Sequence, residues 1–170
     1  MVCGHKVIEV AHGEQALGEG VGSAHGWLVC QLYWVASIVL AGRKPRSNNG
    51  EYFSRLLVCI GQQTRIHGPL LAARRFCINV LRAEQEVLAV HCRSATGTDR
   101  FDHEAWRFDE VNGLPYLQGA QASLFCELIE HHAVGTHSVM LASVERVLTS
   151  AYADPLVYLD GRFRAIDPTR

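Results

Sequence analysis

Histidine and cysteine are the residues of this chain with the widest chemical range, and it carries nine and six of them. Imidazole changes charge near neutrality, and thiolates attack electrophiles or ligate metals. Cys3, Cys30, Cys59, Cys77, Cys92 and Cys126 form neither a CxxC nor a CxxH arrangement, so the spacing of a zinc site is absent. Cys59, Cys77 and Cys126 lie inside apolar runs and read as small buried thiols of a reducing compartment. His131 and His132 are adjacent in a strand-like stretch, so alternation sends them to opposite faces and away from a shared metal. The sharpest local feature is Gly135-Thr136-His137. Taken alone, it reads as a hairpin turn with an exposed histidine. Asn79, inside the apolar run FCINVL, must find an internal hydrogen-bond partner.

The elements that position these residues are mostly strands. Leu56–Ile60 and Phe76–Leu81 are short apolar runs of strand character. Pro69–Arg74 begins with proline at a plausible first helical position. Ala83–His91 is a helix candidate with Val87, Leu88 and His91 on one face. Residues 92–118 are loop-rich, with Phe101 and Trp106 as anchors. Ala122–Ile129 alternates cleanly, placing Ala122, Leu124, Cys126 and Leu128 on one face and Ser123, Phe125, Glu127 and Ile129 on the other. Ser138–Leu148 is a second long strand. Leu156–Leu159 and Arg162–Ile166 flank Asp160-Gly161, a dipeptide suited to a tight type I′ turn. Many strands and few helices imply a small antiparallel barrel. With no βαβ rhythm, no GxGxxG and no phosphate loop, a Rossmann or nucleotide-triphosphatase fold is unsupported.

At 170 residues, 48% apolar and 19% charged, the composition is that of one globular domain. A net charge of -1 gives no electrostatic basis for binding nucleic acid or an anionic membrane. Trp27–Ala41 is the most apolar early block. It is shorter than the ~20 residues that span a bilayer, and it lies too far in for a signal peptide. It reads as a strand pair or a helix. The expected location is the cytoplasm.

Seven segments in register carry a family resemblance. They are LLVCIGQQT (Leu56–Thr64), RFCINVLRAEQEVLA (Arg75–Ala89), Arg100-Phe101, Trp106, GLPYLQGAQASLFCEL (Gly113–Leu128), Gly135-Thr136-His137 and PLVYLDGRFRAI (Pro155–Ile166). Together they resemble the flavin reductase components of two-component flavin monooxygenases, such as the reductase of 4-hydroxyphenylacetate 3-monooxygenase. The resemblance implies a split β-barrel of the FMN-binding type that forms a homodimer. It also implies hydride transfer from NADH or NADPH to FMN or FAD, with reduced flavin diffusing to a separate oxygenase acting on aromatic compounds. The hard chemistry is then the flavin's, and no nucleophile or catalytic base is required.

Site residues follow from the same resemblance. Gly135, Thr136 and His137 would border the flavin and nicotinamide, with His137 positioning the latter. Gln63 and Thr64 would meet the ribityl-phosphate arm. Arg100 and Phe101, with Tyr158, Arg162 and Phe163, would lie near the dinucleotide, where a cation and an aromatic ring can pair with phosphate or stack. The family usually has Asn-x-x-Ser where this chain has Gly61-Gln62-Gln63-Thr64, so the hydroxyl is retained and the amide lost. No metal is implied.

Residues 1–55 depart from the pattern. Six glycines interrupt residues 1–26, so no helical or strand period survives there, and residues 42–55 are polar and turn-like. The family's Thr-x-x-Ser/Ala-Val loop and Ser-Val-Ser-x-x-Pro-Pro stretch are both missing. Arg43, Lys44, Arg46 and Ser47 read as a solvated turn. The abrupt change at Leu56 suggests a segment translated, at least partly, out of frame. Codons allowed for Gly22–Cys30, read from the third base, permit Phe-Arg-Ala-Arg-Met-Ala-Arg-Leu, which resembles the start of the family's first helix. The domain expectation is therefore an atypical segment 1–55 and a flavin reductase-like domain 56–170. If the segment is genuine, the barrel is expected to lack its usual first strands and to expose a sheet edge. The alternative function is a non-catalytic flavin- or partner-binding barrel.

Overall fold

Two long strands, Ala122–Val134 and His137–Thr149, organise the molecule; the first runs five residues beyond the expected Ala122–Ile129. The computed structural model describes residues 5–6, 8–13, 27–30, 38–41, 54–94, 99, 101–159 and 162–165. Its strands in chain order are β1 (His5–Lys6), β2 (Ile8–Gly13), β3 (Trp27–Cys30), β4 (Ile38–Ala41), β5 (Ser54–Gly61) and β6 (Arg75–Val80). They continue as β7 (Trp106–Phe108), β8 (Pro115–Leu117), β9 (Ala122–Val134), β10 (His137–Thr149), β11 (Leu156–Leu159) and β12 (Arg162–Ala165). The helices are α1 (His67–Ala73) and α2 (Glu86–Ser94). A seven-stranded antiparallel sheet runs β3-β2-β6-β9-β10-β5-β4, with smaller sheets β1-β11-β12 and β7-β8 beside it. The result is mostly β, with two helices and a curled half-barrel sheet.

Both faces of the central strands are covered. Leu56, Val58, Ile60, Phe76, Ile78, Leu124, Cys126, Leu128, Met140 and Ala142 form one core with Ile66 and Leu70 from the α1 region. The opposite face of β6 and β9 contributes Cys77 and Phe125 to a second core, with Leu81, Leu88, Cys92, Trp106, Leu117 and Leu156. The expected alternation of β9 therefore holds, and both of its faces are buried near Ala122.

Two bulges interrupt the β9–β10 pairing. Glu130 opposes Leu141 whereas Leu128 opposes Ala142, leaving Ile129 as an extra residue on β9. Cys126 opposes Val144 whereas Phe125 opposes Arg146, leaving Glu145 as an extra residue on β10. Each bulge bends its strand and increases the local twist.

Several expectations need correction. Four strands form within residues 5–41, so the barrel does not lack strands before β5. Ile8–Ala11 pair with β6 despite the surrounding glycines, because tertiary pairing overrides weak local propensity. Trp27–Ala41 contains two strands that do not pair with each other; β3 joins β2 and β4 joins β5, at opposite edges of the sheet. Helix α1 starts at His67, two residues before Pro69. A proline in the first turn is tolerated there, because those N–H groups have no intrahelical partner. The second helix begins as a 3₁₀ turn over Ala83–Gln85. Its tighter winding rotates the buried face to Leu88, Ala89 and Cys92, leaving Val87 76% exposed and His91 exposed. Asp160-Gly161, Arg100 and residues 42–53 lie outside the described residues.

Candidate functional site

Strand β5 ends at Gly61, and the β9–β10 hairpin turns at Gly135-Thr136. Gly61, His137 and Val134 lie opposite one another on three neighbouring strands, so their side-chain positions share one face. Ile60, Ser138 and Ala133 take the other face, where Ile60 and Ser138 are buried. The loop after β5 docks onto the hairpin turn. Gln62 N–H donates to Thr136 O at 2.9 Å, and Gln62 Nε2 donates to His137 O at 3.1 Å. Thr64 folds back on the strand end, its Oγ1 donating to Gly61 O at 2.6 Å. Thr136 Oγ1 shares a hydrogen bond of 2.9 Å with His137 Nδ1.

Two glycines shape this corner. A Cβ added at Gly61 would sit 3.3 Å from Thr64 Cγ2, a tight contact, and 3.7 Å from His137 Nε2, an ordinary one, so the bare backbone chiefly eases the close approach of the threonine. Gly135 has φ 57°, in the left-handed region that the tight turn needs. A Cβ there would meet nothing within 4 Å, so the turn is open to an approaching ligand.

Gln63, Thr64, Gly135, Thr136 and His137 are thus brought together from segments more than 70 residues apart. Tyr158, Arg162 and Phe163 belong to a second group. Tyr158 and Phe163 meet edge-to-face at 5.2 Å across the β11–β12 ladder, Phe163 packs on the second core, and Arg162 is exposed. Phe101 packs there too, edge-on to Trp106 at 5.1 Å. Along β9, nine positions separate Phe125 of that core from Val134 beside the turn, on the order of 30 Å of strand.

Two residues beside the turn were not anticipated. Gln62, rather than Gln63, makes the links to the hairpin. His67, the first residue of α1, shares a 2.8 Å hydrogen bond with buried Ser138 Oγ. Partial burial, reinforced by the nearby His131, holds His67 below the ordinary imidazole value of 6.5, so its ring is neutral at pH 7. Gln62 was readable as a polar residue directly following a strand and a glycine; nothing in the sequence marks His67.

Burial pushes Cys126 up to about 12 and Cys77 well above its ordinary value, so both remain thiols, and Cys92 is also buried; Cys59, expected to be buried, is half-buried. Asn79 is fully buried, and its Oδ1 accepts from Leu117 N–H at 3.1 Å and Ser123 Oγ at 2.8 Å. Its Nδ2 has no partner. Buried Asp109 pairs with Arg146, whose guanidinium lies 4.0 Å over the Phe125 ring. These buried polar groups hold the second core together.

The antiparallel half-barrel places the chain in the class of flavin reductase folds. The flavin reductase like domain matches residues 54–167, and the chain belongs to that family. It is 36% identical over 112 residues to the FMN reductase (NADH) RutF of Methylorubrum populi, covering 65% of this chain and 55% of that protein. It is 34% identical over 114 residues to the 4-hydroxyphenylacetate 3-monooxygenase reductase component of Salmonella typhi, covering 65% and 66% respectively. The chain thus spans less than two thirds of the length of either relative. In fold it is similar to the NADH:FAD oxidoreductase SgcE6 of Streptomyces globisporus (TM-score 0.72, 24% identity, 98% of this chain and 82% of that one). It is also similar to BorF, the flavin reductase component of a bacterial two-component tryptophan halogenase (TM-score 0.69, 22% identity, 95% and 90%). Among the described residues, no helix is long and apolar enough to cross a membrane.

Proposed function

We propose that the protein is an NAD(P)H:flavin oxidoreductase that delivers reduced FMN or FAD to a separate flavin-dependent oxygenase of aromatic compounds. The observation that carries this reading is the docking of Gly61–Thr64 onto Gly135–His137 in a chain of this family. The residues there fit a flat, carbonyl-bearing ring. Gly135 leaves its face unobstructed, Gly61 gives the Thr64 side chain room, and Thr64 and Gln63 offer polar groups at the rim.

When bound, the flavin supplies the two-electron acceptor for hydride. The chain's residues orient and shield. With the Thr136 hydroxyl donating to Nδ1, the proton of the His137 ring sits on Nε2, a donor beside Gly61. That donor orients a nicotinamide carboxamide. Gln62 holds the turn through two hydrogen bonds, so the imidazole is positioned before ligand arrives.

Tyr158, Arg162 and Phe163 join the site from a second copy in a homodimer, where Arg162 meets the dinucleotide phosphates. The protein works in the cytoplasm. Residues 1–55 form a segment translated partly out of frame, and the nucleotide sequence tests this. Absence of a shifted frame encoding a Thr/Ser-rich loop before Leu56 rejects it.

The deciding experiment for the function is an anaerobic NADH titration with FMN and with FAD, followed at the flavin absorbance band. Bleaching that requires both the protein and added flavin is expected. Bound flavin that stays oxidised in excess NADH would instead favour a non-catalytic flavin-binding barrel. Gly61 in place of the expected asparagine is the observation that keeps that second reading open.

A further inference from the structure

Arg74 is the single non-glycine residue with positive φ among those described, at 58°. It caps α1, its N–H donating to Leu70 O at 2.9 Å. Glycine or asparagine usually fills this position, because an L side chain in the left-handed region is strained. The side chain retained here makes contacts that glycine could not. Arg74 Nη2 donates to Leu128 O at 2.7 Å and to Ile129 O at 2.9 Å, while Arg74 O accepts from Leu128 N–H at 2.7 Å.

These contacts fall where β9 parts from β6. The β6–β9 ladder runs from Val80 opposite Ala122 to Arg75 opposite Glu127, and Arg74 extends it by one step to Leu128. Ile129 is the extra residue of the β9 bulge. Beyond it, Glu130–Val134 pair with β10 alone among the described residues. This distal arm ends in Gly135-Thr136-His137, and its departure from the sheet is set by the bulge geometry.

We propose that Arg74 is a positioning residue for the flavin–nicotinamide site. It clamps both carbonyls of the bulge and thereby fixes the direction of the arm that carries His137. Cationic donors form stronger, shorter hydrogen bonds to carbonyls than neutral ones, and the two N–H groups of one guanidinium nitrogen, held in the guanidinium plane, reach both carbonyls of the bulge. The proposal rests on the reductase reading for its link to turnover, and on geometry alone for the clamp.

Two variants test it. R74G relieves the backbone strain while removing the clamp, and R74K keeps the charge but replaces the planar guanidinium with a compact ammonium. Thermal unfolding, amide hydrogen exchange of Glu130–Val134 against Phe76–Val80, and NADH oxidation with added FMN or FAD are measured for both variants and the wild type. For R74G the expectation is an unchanged or higher Tm and arm exchange faster by about tenfold or more with β6 unaffected. Turnover should fall roughly tenfold while KM changes less than about twofold. R74K should fall between R74G and wild type in both exchange and turnover. Arm exchange unchanged in R74G overturns the clamp. Wild-type turnover in R74G, or a fall in turnover matched by a fall in Tm, overturns the positioning role. A wild-type protein that shows no flavin-stimulated oxidation refutes the reductase reading instead, and the exchange measurement still decides the clamp.

Discussion

The two ends of the β9–β10 hairpin are built on different terms. At the turn, Gly135-Thr136-His137 and Gly61–Thr64 are held by backbone and amide hydrogen bonds, with most side chains exposed. At the other end, Phe101, Trp106, Tyr158 and Phe163 meet as aromatic pairs on a buried core stiffened by Asn79 and by the Asp109–Arg146 ion pair. The same family resemblance suggested cofactor contacts at both ends. Within one copy, geometry separates them: one end is an open corner held by hydrogen bonds, the other is dominated by packing. Accordingly, substitutions at the turn should alter turnover, and substitutions of the buried polar groups at the packed end should alter stability.

The largest effect is expected from Gly61→Leu. Its side chain must displace Thr64 or the His137 ring, and a misplacement of about 1 Å costs roughly 100-fold in turnover. Flavin-stimulated NADH oxidation should fall by that order with Tm nearly unchanged. Retained turnover would break the comparison, because the turn would then not be the site. Asn79→Leu acts on the packed end. It strands the Leu117 N–H and the Ser123 hydroxyl and should lower stability by about 3 kcal/mol, read by denaturant unfolding. Turnover per folded molecule should be unchanged, and a selective loss of turnover would join the two ends functionally.

The smallest effect is a pH dependence near the turn. Folded His67 binds a proton less readily than the unfolded chain, whose value is the ordinary 6.5. Above that pH both states are neutral and the contribution vanishes. Below it the unfolded state takes up the proton first, so stability falls until the folded ring is also charged. Tm should therefore decline on acidification below about pH 6.5, and less steeply in His67→Gln. Equal slopes in the two proteins would remove His67 from the account.

Much of the packed end was legible in the sequence, for physical reasons. Strand alternation in Ala122–Leu128 declared its two faces, and Asn79 declared its need for partners by being polar in an apolar run. The turn was legible as a glycine and histidine between strands. Its docking was not, because Gln62 grips backbone carbonyls 75 residues away and main-chain acceptors leave no trace in residue type. The face of α2 was misread because a 3₁₀ start shifts the helical phase. The strands within residues 5–13 escaped notice because β2 owes its form to its neighbour β6.

The two bulges of the long hairpin carry one more consequence. One adds a residue to β9 at Ile129 and the other adds a residue to β10 at Glu145. Their shifts cancel, so Thr149 meets Ala122 in the same phase in which His137 meets Val134. The pair works as a vernier. Removing Ile129 or Glu145 singly would change the count between the turn and the packed end by one step, and removing both would restore it. Length changes in the two strands are therefore coupled, and a homologue lacking one bulge should lack the other.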